Sequence, residues 1–314
     1  MTVPRPAEDA AAVTLTLKRE APEPGLYLLA MPIGAARDIT LRALDLLNTA
    51  DVLAAEDTRT LRHLMTIHGI PLRGRRILAC HDHNEAAAAA GLLAALAEGR
   101  TVAYASEAGT PSVSDPGFRL ARDAAGAGYR VNAVPGPSAV LAALVASGMP
   151  SDRFLFAGFA PAARAARRRW LEELLAVEAT VIIFENPRRV KDLFADLCDI
   201  DSERESAICR ELTKKFEEVR RGTVRDLAGP ELDGLRGEVV VLVDRSRSGA
   251  GGGDAEAMIS AALEEGLSVR DAAARVAAAL GRPRRELYQL ALAMAGGAAA
   301  KDEGEDSGDA DGTG

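Results

Sequence analysis

Residues 25–59, GLYLLAMPIGAARDITLRALDLLNTADVLAAEDTR, contain the repeating unit that decides the fold. The apolar run Leu26–Met31 is stopped by a proline and a glycine, which predicts a short buried strand. Leucines at helical spacing predict a helix over Thr40–Asn48, with Asp38 as its cap. A second apolar run predicts a strand over Val52–Ala55. Two strands joined by a helix make a βαβ unit, and such units build parallel sheets.

This alternation continues along the chain and starts a second series after Pro150. Further strands are predicted at 76–80, 102–106, 130–134, 153–159, 179–184, 206–210 and 238–244. Further helices are predicted at 58–68, 85–98, 117–127, 138–147, 163–176 and 187–198. The sequence therefore predicts an α/β protein with two mostly parallel sheets.

Changes in composition divide the chain further, with a proline-rich start, a glycine-rich stretch near residue 250 and an acidic end. The predicted segments are a disordered arm (1–24), an N-terminal α/β domain (25–150), a C-terminal α/β domain (151–245), a linker (246–254), a helical module (255–297) and an acidic disordered tail (298–314).

The helical module carries two helix signals. Ser268 is placed to cap a helix that runs through Ala279, and Pro283 to open a second helix that runs through Met294. Five arginines in this span oppose two acids, so the module resembles a helix-turn-helix unit that would suit phosphates. Small helical dimerisation modules have a similar pattern, and this alternative stays open.

The net charge of −8 is concentrated at the two ends of the chain. Residues 301–314 hold one lysine and six acids (−5), and residues 1–24 hold three bases and four acids (−1). Residues 25–300 therefore carry −2. A nearly neutral body neither requires nor excludes a nucleic-acid partner, because local patches decide that question.

The sequence lacks the signals of several protein classes. No apolar stretch approaches the ~18 residues of a membrane helix, and we expect no secretory signal and no membrane partner. The three cysteines include no C-x-x-C pair, which argues against a disulfide framework and favours the cytoplasm. Neither a G-x-G-x-x-G fingerprint nor a P-loop lysine is present, which argues against the usual NAD and P-loop sites.

Polar clusters follow the predicted strands at their carboxyl ends, where open α/β sheets bind ligands. The clusters of the first series are PIGAARD (32–38), AEDTR (55–59), HDHNE (81–85), SEAGTPSVSDPG (106–117) and PGPSA (135–139). Those of the second series are ENPRR (185–189) and RELTKK (210–215). This pattern predicts a ligand-binding cleft between the two domains.

Three of these clusters have more than one interpretation. His81 and His83 could ligate a metal or could stand at a helix start capped by Asn84, and we favour the helix start. Glu56 and Asp57 could cap the next helix or act as a base and a substrate orienter. The loop 106–117 could hold a ligand closely or could be an ordinary long βα loop.

The ordered motifs of the chain also resemble a known family. GLYLLAMPIGAARDITLRAL, AAEDTR, HDHNE, SEAGTPSVSDPGFRL, VPGPSAVLAAL, SGMPSDRFLFAGF, IFENPRRV and CRELTKKFEE are similar to motifs of the small-subunit ribosomal RNA methyltransferase I family. This family is part of the tetrapyrrole-methylase superfamily of class III methyltransferases. The resemblance spans about residues 25–295. Met31, the pair Ala35–Ala36 and Glu107 depart from the usual Thr, Asn-Leu and Asp.

The resemblance implies a homodimer of two-domain α/β subunits that bind S-adenosyl-L-methionine in the cleft. It also implies 2′-O-methylation of a cytidine ribose, cytidine 1402 of 16S rRNA in the small ribosomal subunit. The residues assigned to the methyl donor are Pro32, Gly34, Glu107, Ala108, Gly109, Thr110, Asp115, Pro137 and Ser138. Glu56 is the first candidate for the proton acceptor, with Asp57 and His83 as rivals, and no metal is required. The candidate RNA-binding residues are Arg59, Arg188, Arg210, Lys214, Lys215, Arg284 and Arg285.

Two other functions fit the same sequence less well. A tetrapyrrole C-methyltransferase would keep the fold and the donor, but the PIGAARD loop and the helical module count against it. A ribosome-assembly protein without catalysis would bind RNA with a steep salt dependence and would not bind the donor. A shared fold does not separate these functions.

Overall fold

The computed structural model describes residues 16–18, 20, 22–81, 84–112, 117–245, 252–280 and 283–302. The chain forms two compact units. One consists of Met1–Leu174 and Thr180–Asp244, and the other of Leu175–Ala179 and Arg245–Gly314. The predicted boundary at Pro150 therefore lies within the first unit, between its two sheets. Among the described residues, no helix is long and apolar enough to cross a membrane.

The first sheet has five strands, all parallel, as the sequence predicts. The structure adds their order, which is β3-β2-β4-β1-β5. Its strands are β1 (Gly25–Leu29), β2 (Val52–Ala55), β3 (Ile77–Ala79), β4 (Thr101–Ala105) and β5 (Val131–Val134). Its helices are α1 (Leu41–Thr49), α2 (Thr58–Ile67), α3 (Glu85–Ala97), α4 (Phe118–Gly126) and α5 (Ala139–Ser147).

Alternate residues of β1 enter two hydrophobic cores, one on each face of the first sheet. Tyr27 and Leu29 pack in the core that contains α1 and α2. Leu26 packs on the opposite face, in the core that contains α3 and α4. Because successive side chains of a strand point to opposite faces, a continuous apolar run is what a sheet covered on both sides requires.

Two helix starts differ from the prediction. Thr40, not Asp38, caps α1, because its Oγ1 accepts a hydrogen bond from the amide of Ala43 at 3.2 Å. Asp38 lies in a short 3-10 turn just before this cap. Asn84 stands at the N-cap position of α3, but its side chain makes no cap hydrogen bond. It donates instead to the carbonyl of Ala79 at the end of β3, at 3.0 Å.

The second sheet is mixed, so the prediction of a mostly parallel sheet is wrong for this half. Its strands are β6 (Phe154–Phe159), β7 (Thr180–Glu185), β8 (Glu205–Arg210), β9 (Glu218–Thr223) and β10 (Val239–Val243). In the order β6-β7-β10-β8-β9, β10 is antiparallel to both β7 and β8, and β9 is antiparallel to β8. Strands β6, β7 and β8 therefore still run in one direction and end at one edge. The helices of this half are α6 (Arg164–Leu175), α7 (Val190–Asp201) and the single turn α8 (Val224–Leu227).

Helix α5 packs on the second sheet although the sequence places it at the end of the first series. Val140, Ala143 and Leu144 are buried in one cluster with Ile182 of β7 and Leu242 of β10. This packing joins the two sheets within the first unit, because α5 begins directly after the loop that follows β5.

The described part of the second unit contains the helices α9 (Gly252–Glu264), α10 (Val269–Leu280) and α11 (Arg284–Asp302). The two predicted helices correspond to α10 and α11, and Ser268 accepts a hydrogen bond from the amide of Asp271 at 3.2 Å. Ile259, Val276 and Leu287 form the shared core. Helix α9 begins inside the predicted linker, and α11 continues into the predicted tail. Residues 1–15, 246–251 and 303–314 lie outside the described residues.

Candidate functional site

The ends of β1 and β4 are joined by a short backbone bridge that shapes the site. The amide of Met31 donates to the carbonyl of Gly109 at 2.8 Å, and the amide of Gly109 donates to the carbonyl of Met31 at 2.9 Å. The Ser106 hydroxyl also donates to the Gly109 carbonyl, at 2.8 Å. Gly109 has a φ of +67°, a left-handed conformation that side chains disfavour. These bonds fix the loops after β1 and β4 against each other.

The larger of two cavities at this edge has a volume of about 380 Å³ and is lined by loops of both sheets. The lining from the first sheet and α5 consists of Ile33, Ala108, Gly109, Thr110, Ser138, Ala139 and Val140. The lining from the second sheet consists of Phe159, Phe184, Glu185, Asn186, Pro187, Gly237, Glu238, Val239 and Val240. The walls are mainly apolar, with a few polar groups placed among them.

The smaller cavity, of about 240 Å³, lies on the other side of the loop after β1. It is bounded by that loop, by the end of β4 and by one face of α2. Its lining consists of Met31, Pro32, Gly34, Ala36, Thr60, Leu61, His63, Leu64, Ile67, Ser106 and Glu107.

The residues predicted for the donor are divided between these two cavities. Four of them line the larger cavity: Ala108, Gly109, Thr110 and Ser138. Three line the smaller cavity: Pro32, Gly34 and Glu107. Pro137 lies beside the larger cavity, where its carbonyl accepts a hydrogen bond from the Thr110 hydroxyl at 3.2 Å. Asp115 and His83 lie outside the described residues.

Gly34 lies where the loop after β1 packs closely against the loop after β8. A Cβ atom at this position would lie 2.5 Å from Cγ of Lys214, 2.6 Å from Oγ1 of Thr213 and 3.0 Å from the carbonyl oxygen of Leu212. The next amide, of Ala35, donates to the Thr213 hydroxyl at 3.0 Å. Gly34 therefore permits the loop after β1 to contact the loop after β8.

Glu56 follows β2 directly and is half-buried. Its Oε2 accepts a hydrogen bond from the amide of Glu107 at 3.3 Å. Its own amide donates to the carbonyl of Ala105 at the end of β4. The carboxylate is therefore held at the end of β4, beside the Glu107 lining of the smaller cavity.

Asp57, the neighbour of Glu56, caps α2. Its carboxylate accepts hydrogen bonds from the amides of Arg59 and Thr60 and pairs with the Arg59 guanidinium at 3.0 Å. These contacts, with the Arg59 side chain the largest cause, lower the pKa of Asp57 to about 2. A carboxylate with so low a pKa and with its oxygens engaged is a weak proton acceptor. Among the described residues, no group of three or more His, Cys, Asp or Glu side chains could hold a metal ion.

The predicted RNA-binding cations fall into two groups. Arg210 pairs with Glu218 at 3.0 Å, and Lys214 pairs with Glu211 and Glu238 at 2.9 and 3.0 Å. Arg59, whose side chain is 90% exposed, pairs with Asp57. The other cations, Arg188, Lys215, Arg284 and Arg285, are exposed. The ammonium group of Lys215 lies 5.4 Å from the ring centre of Phe216, which is also exposed.

Sequence reasoning missed Glu185, a buried carboxylate in the wall of the larger cavity. It is the last residue of β7 and is 2% exposed. Burial raises the pKa of Glu185, against the opposing effects of the Asn186 amide and the Arg189 guanidinium. Its position as the first letter of ENPRR, directly after an apolar strand, is the signal that could have identified it.

Comparison with known proteins assigns this architecture to a family. A family model described as Tetrapyrrole (Corrin/Porphyrin) Methylases matches residues 25–228, and one described as RsmI C-terminal HTH domain matches residues 249–295. The crystal structure of diphthine synthase aligns with a TM-score of 0.56 at 14% identity. The alignment covers 70% of this chain and 89% of that chain, and it shows a shared fold alone.

Two curated relatives align over most of their length. Ribosomal RNA small subunit methyltransferase I of Mesorhizobium japonicum is 46% identical over 87% of this chain and 92% of that protein. The protein of the same name from Escherichia coli O157:H7 is 39% identical over 86% of this chain and 96% of that protein. The chain therefore belongs to the tetrapyrrole methylases and, within them, to the ribosomal RNA small subunit methyltransferase I family.

Proposed function

We propose that this protein transfers a methyl group from S-adenosyl-L-methionine to the 2′-hydroxyl of a cytidine in 16S rRNA of the small ribosomal subunit. Cytidine 1402 is the proposed position. The observation that carries the proposal is the larger cavity, which both strand edges line in a chain that belongs to this methyltransferase family. We also propose that the protein acts in the cytoplasm as a homodimer.

The larger cavity has the size and the chemistry of a donor site. Small-molecule sites occupy roughly 300–1,000 Å³, and this cavity has about 380 Å³. Ile33, Phe184 and Val240 offer apolar surface to a flat base, while Gly109 leaves room for close approach to the backbone. When bound, S-adenosyl-L-methionine supplies a methyl group already activated by its sulfonium. The protein must then align the hydroxyl, exclude water and accept a proton.

We assign the proton of the 2′-hydroxyl to Glu56 in this proposal. The hydrogen bond that Glu56 accepts from the Glu107 amide supports a position of its carboxylate beside the loop after β1, which separates the two cavities. The low pKa of Asp57 favours Glu56 over its neighbour as the acceptor. His83 stays a rival for this role. The smaller cavity, on the α2 side of the same loop, is the proposed approach for the acceptor nucleotide.

The exposed cations are the proposed contacts with RNA phosphates. Arg188 follows β7, whose last residue lines the larger cavity. Lys215 lies in the loop after β8, which contacts the loop after β1 at Gly34. Arg284 and Arg285 begin α11 of the helical unit. Exposed guanidinium and ammonium groups can neutralise phosphates without first breaking an internal ion pair.

The test is transfer of labelled methyl from S-adenosyl-L-methionine to purified small subunits that lack the modification. Nuclease digestion and mass spectrometry then locate the label. We expect label on the ribose of one cytidine. Label on a base would overturn the 2′-O assignment. Absence of transfer despite donor binding would point to another methyl acceptor, and absence of both would overturn the enzymatic proposal.

A further inference from the structure

One carboxylate oxygen of Glu185 accepts a hydrogen bond, and the other does not. Oε1 accepts a hydrogen bond from the amide of Asn186 at 2.7 Å. Oε2 is buried and has no hydrogen-bond donor among the described residues. The side chain is itself fully buried, at 0% exposure, and it belongs to the lining of the larger cavity. A buried acceptor without a donor loses its hydration and gains nothing in return.

The nearest cation does not satisfy this oxygen, because it is engaged elsewhere. Nη2 of Arg189 lies 3.3 Å from Oε2 of Glu185. The same Nη2 donates to the carbonyls of Ala160 and Pro161, at 2.6 and 2.9 Å. The guanidinium therefore fixes the loop after β6 and offsets part of the carboxylate charge, but its N–H groups point to the two carbonyls.

The other walls of the cavity supply no alternative donor close to this carboxylate among the described residues. In the register of β7 and β10, Glu185 lies opposite Val239, and Phe184 and Val240 form the next pair. The Thr110 hydroxyl donates to the Pro137 carbonyl, the Ser138 hydroxyl accepts from the Leu141 amide, and neither hydroxyl donates to Glu185. Because no described residue donates to Oε2, a ligand that fills the cavity can supply the missing donor from an N–H or O–H group.

We infer that Glu185 is a specificity-determining residue for the methyl donor, and that its Oε2 accepts a hydrogen bond from the adenosyl group. This inference rests on the proposed function for the identity of the ligand. The adenosyl group carries suitable donors in its 6-amino group and its ribose hydroxyls. A hydrogen bond is electrostatically stronger in a buried site, because the local dielectric is low. Glu185 then selects a nucleoside in a cavity whose other walls are mainly apolar.

The experiment measures binding of S-adenosyl-L-homocysteine by calorimetry to the full-length chain and to two variants. E185L removes the acceptor and keeps the volume, while E185Q keeps an uncharged acceptor. We expect the affinity to fall at least about 10-fold in E185L and less in E185Q. E205Q is the matched control, because Glu205 is exposed and begins β8 at the opposite end of the same sheet. It should bind like the natural chain.

Ligand analogues separate a direct contact from a structural effect. S-inosyl-L-homocysteine lacks the 6-amino group, and the 2′-deoxy and 3′-deoxy analogues each lack one ribose hydroxyl. The analogue that has lost the contacted group should bind the natural chain and E185L equally well. If E185L, with an unchanged melting temperature, binds every ligand like the natural chain, or weakens all of them by one common factor, the inference is overturned. If the natural chain itself binds no S-adenosyl-L-homocysteine, the proposed function fails instead.

Discussion

The edges of the two sheets line the same cavity with different means. The first sheet contributes short loops of glycine, proline and alanine, whose hydrogen bonds run between backbone groups, as in the Met31–Gly109 bridge. The second sheet contributes large apolar side chains such as Phe184 and Val240. Charged residues of the same edge are paired with one another beside the cavity, as in the contacts of Lys214 with Glu211 and Glu238.

This difference indicates a division of roles. Backbone loops can approach a ligand closely and define the shape of its binding site, whereas paired charges hold the neighbouring loops in place. Glu185 is the exception on the second edge, because it combines burial with an open oxygen. The comparison therefore predicts that chemistry and fit depend on the first edge, and that most charges of the second edge act on stability.

The largest expected effect comes from the first edge. E56Q should lower turnover by about 10²–10⁴-fold, because an uncharged amide cannot accept the proton of the hydroxyl. Donor affinity, measured by calorimetry, should stay nearly unchanged. D57N is the comparison variant, and it should lower turnover far less, since Asp57 with its pKa of about 2 is held by Arg59. Full activity of E56Q would remove its role, and a larger loss in D57N would transfer that role to Asp57.

The next effect tests the contact between the two edges. G34A should destabilise the protein by about 1–3 kcal/mol, because the added Cβ meets the Leu212 carbonyl and the Thr213 side chain. G91A provides the control, since Gly91 is an exposed residue of α3 and no described atom lies within 4 Å of the place its Cβ would take. This second change should stabilise the chain by about 0.5–1 kcal/mol through helix propensity. Denaturant unfolding measures both, and equal values for the two would show that the edges do not meet at Gly34.

How much of this arrangement the sequence could predict differs between the two sheets. The first sheet was predictable because most of its strands are short apolar runs bounded by polar residues, prolines or glycines. Strand β9 was missed because EVRRGT contains one large apolar residue, and the strand is stabilised by its pairing with β8. The direction of β10 was also not encoded locally, since a buried apolar run looks the same in parallel and antiparallel sheets.

The site shows the same limit. Glycine and proline positions drew attention to the loop of Ala108, Gly109 and Thr110, and these residues line the larger cavity. Their assignment to the methyl donor stays a prediction. The pairing of Arg210 with Glu218 depends on the missed strand β9. The partners of a charge are set by tertiary structure, so the sequence could not show which cations are engaged.

A smaller effect separates the paired cations from the exposed ones. K215A and R188A should each lower the slope of log affinity for RNA against log salt by about 0.7, the value expected for one contact with a single strand. R210A should change this slope less and should instead cost about 0.2–1 kcal/mol of unfolding free energy, since Arg210 is paired with Glu218. Salt titrations of RNA binding and denaturant unfolding check the two expectations. A larger change of the salt slope in R210A than in K215A and R188A would contradict this division of roles.

The smallest effect concerns the core beneath the second edge. Cys209 is fully buried, and burial raises the pKa of its thiol from 9.0 to about 11. The folded state therefore retains a proton that the unfolded state releases, so this contribution to stability is complete below pH 9 and is lost as the pH rises towards 11. C209A should flatten the decline of melting temperature between these pH values. An identical decline in C209A would show that other groups cause it.

The most direct test of the central claim is a crystal structure with S-adenosyl-L-homocysteine. We expect the nucleoside to lie in the larger cavity, against Gly109 of the first edge and Glu185 and Val240 of the second. A nucleoside bound in the smaller cavity, against α2 and Pro32, or bound by residues of one sheet alone, would contradict it.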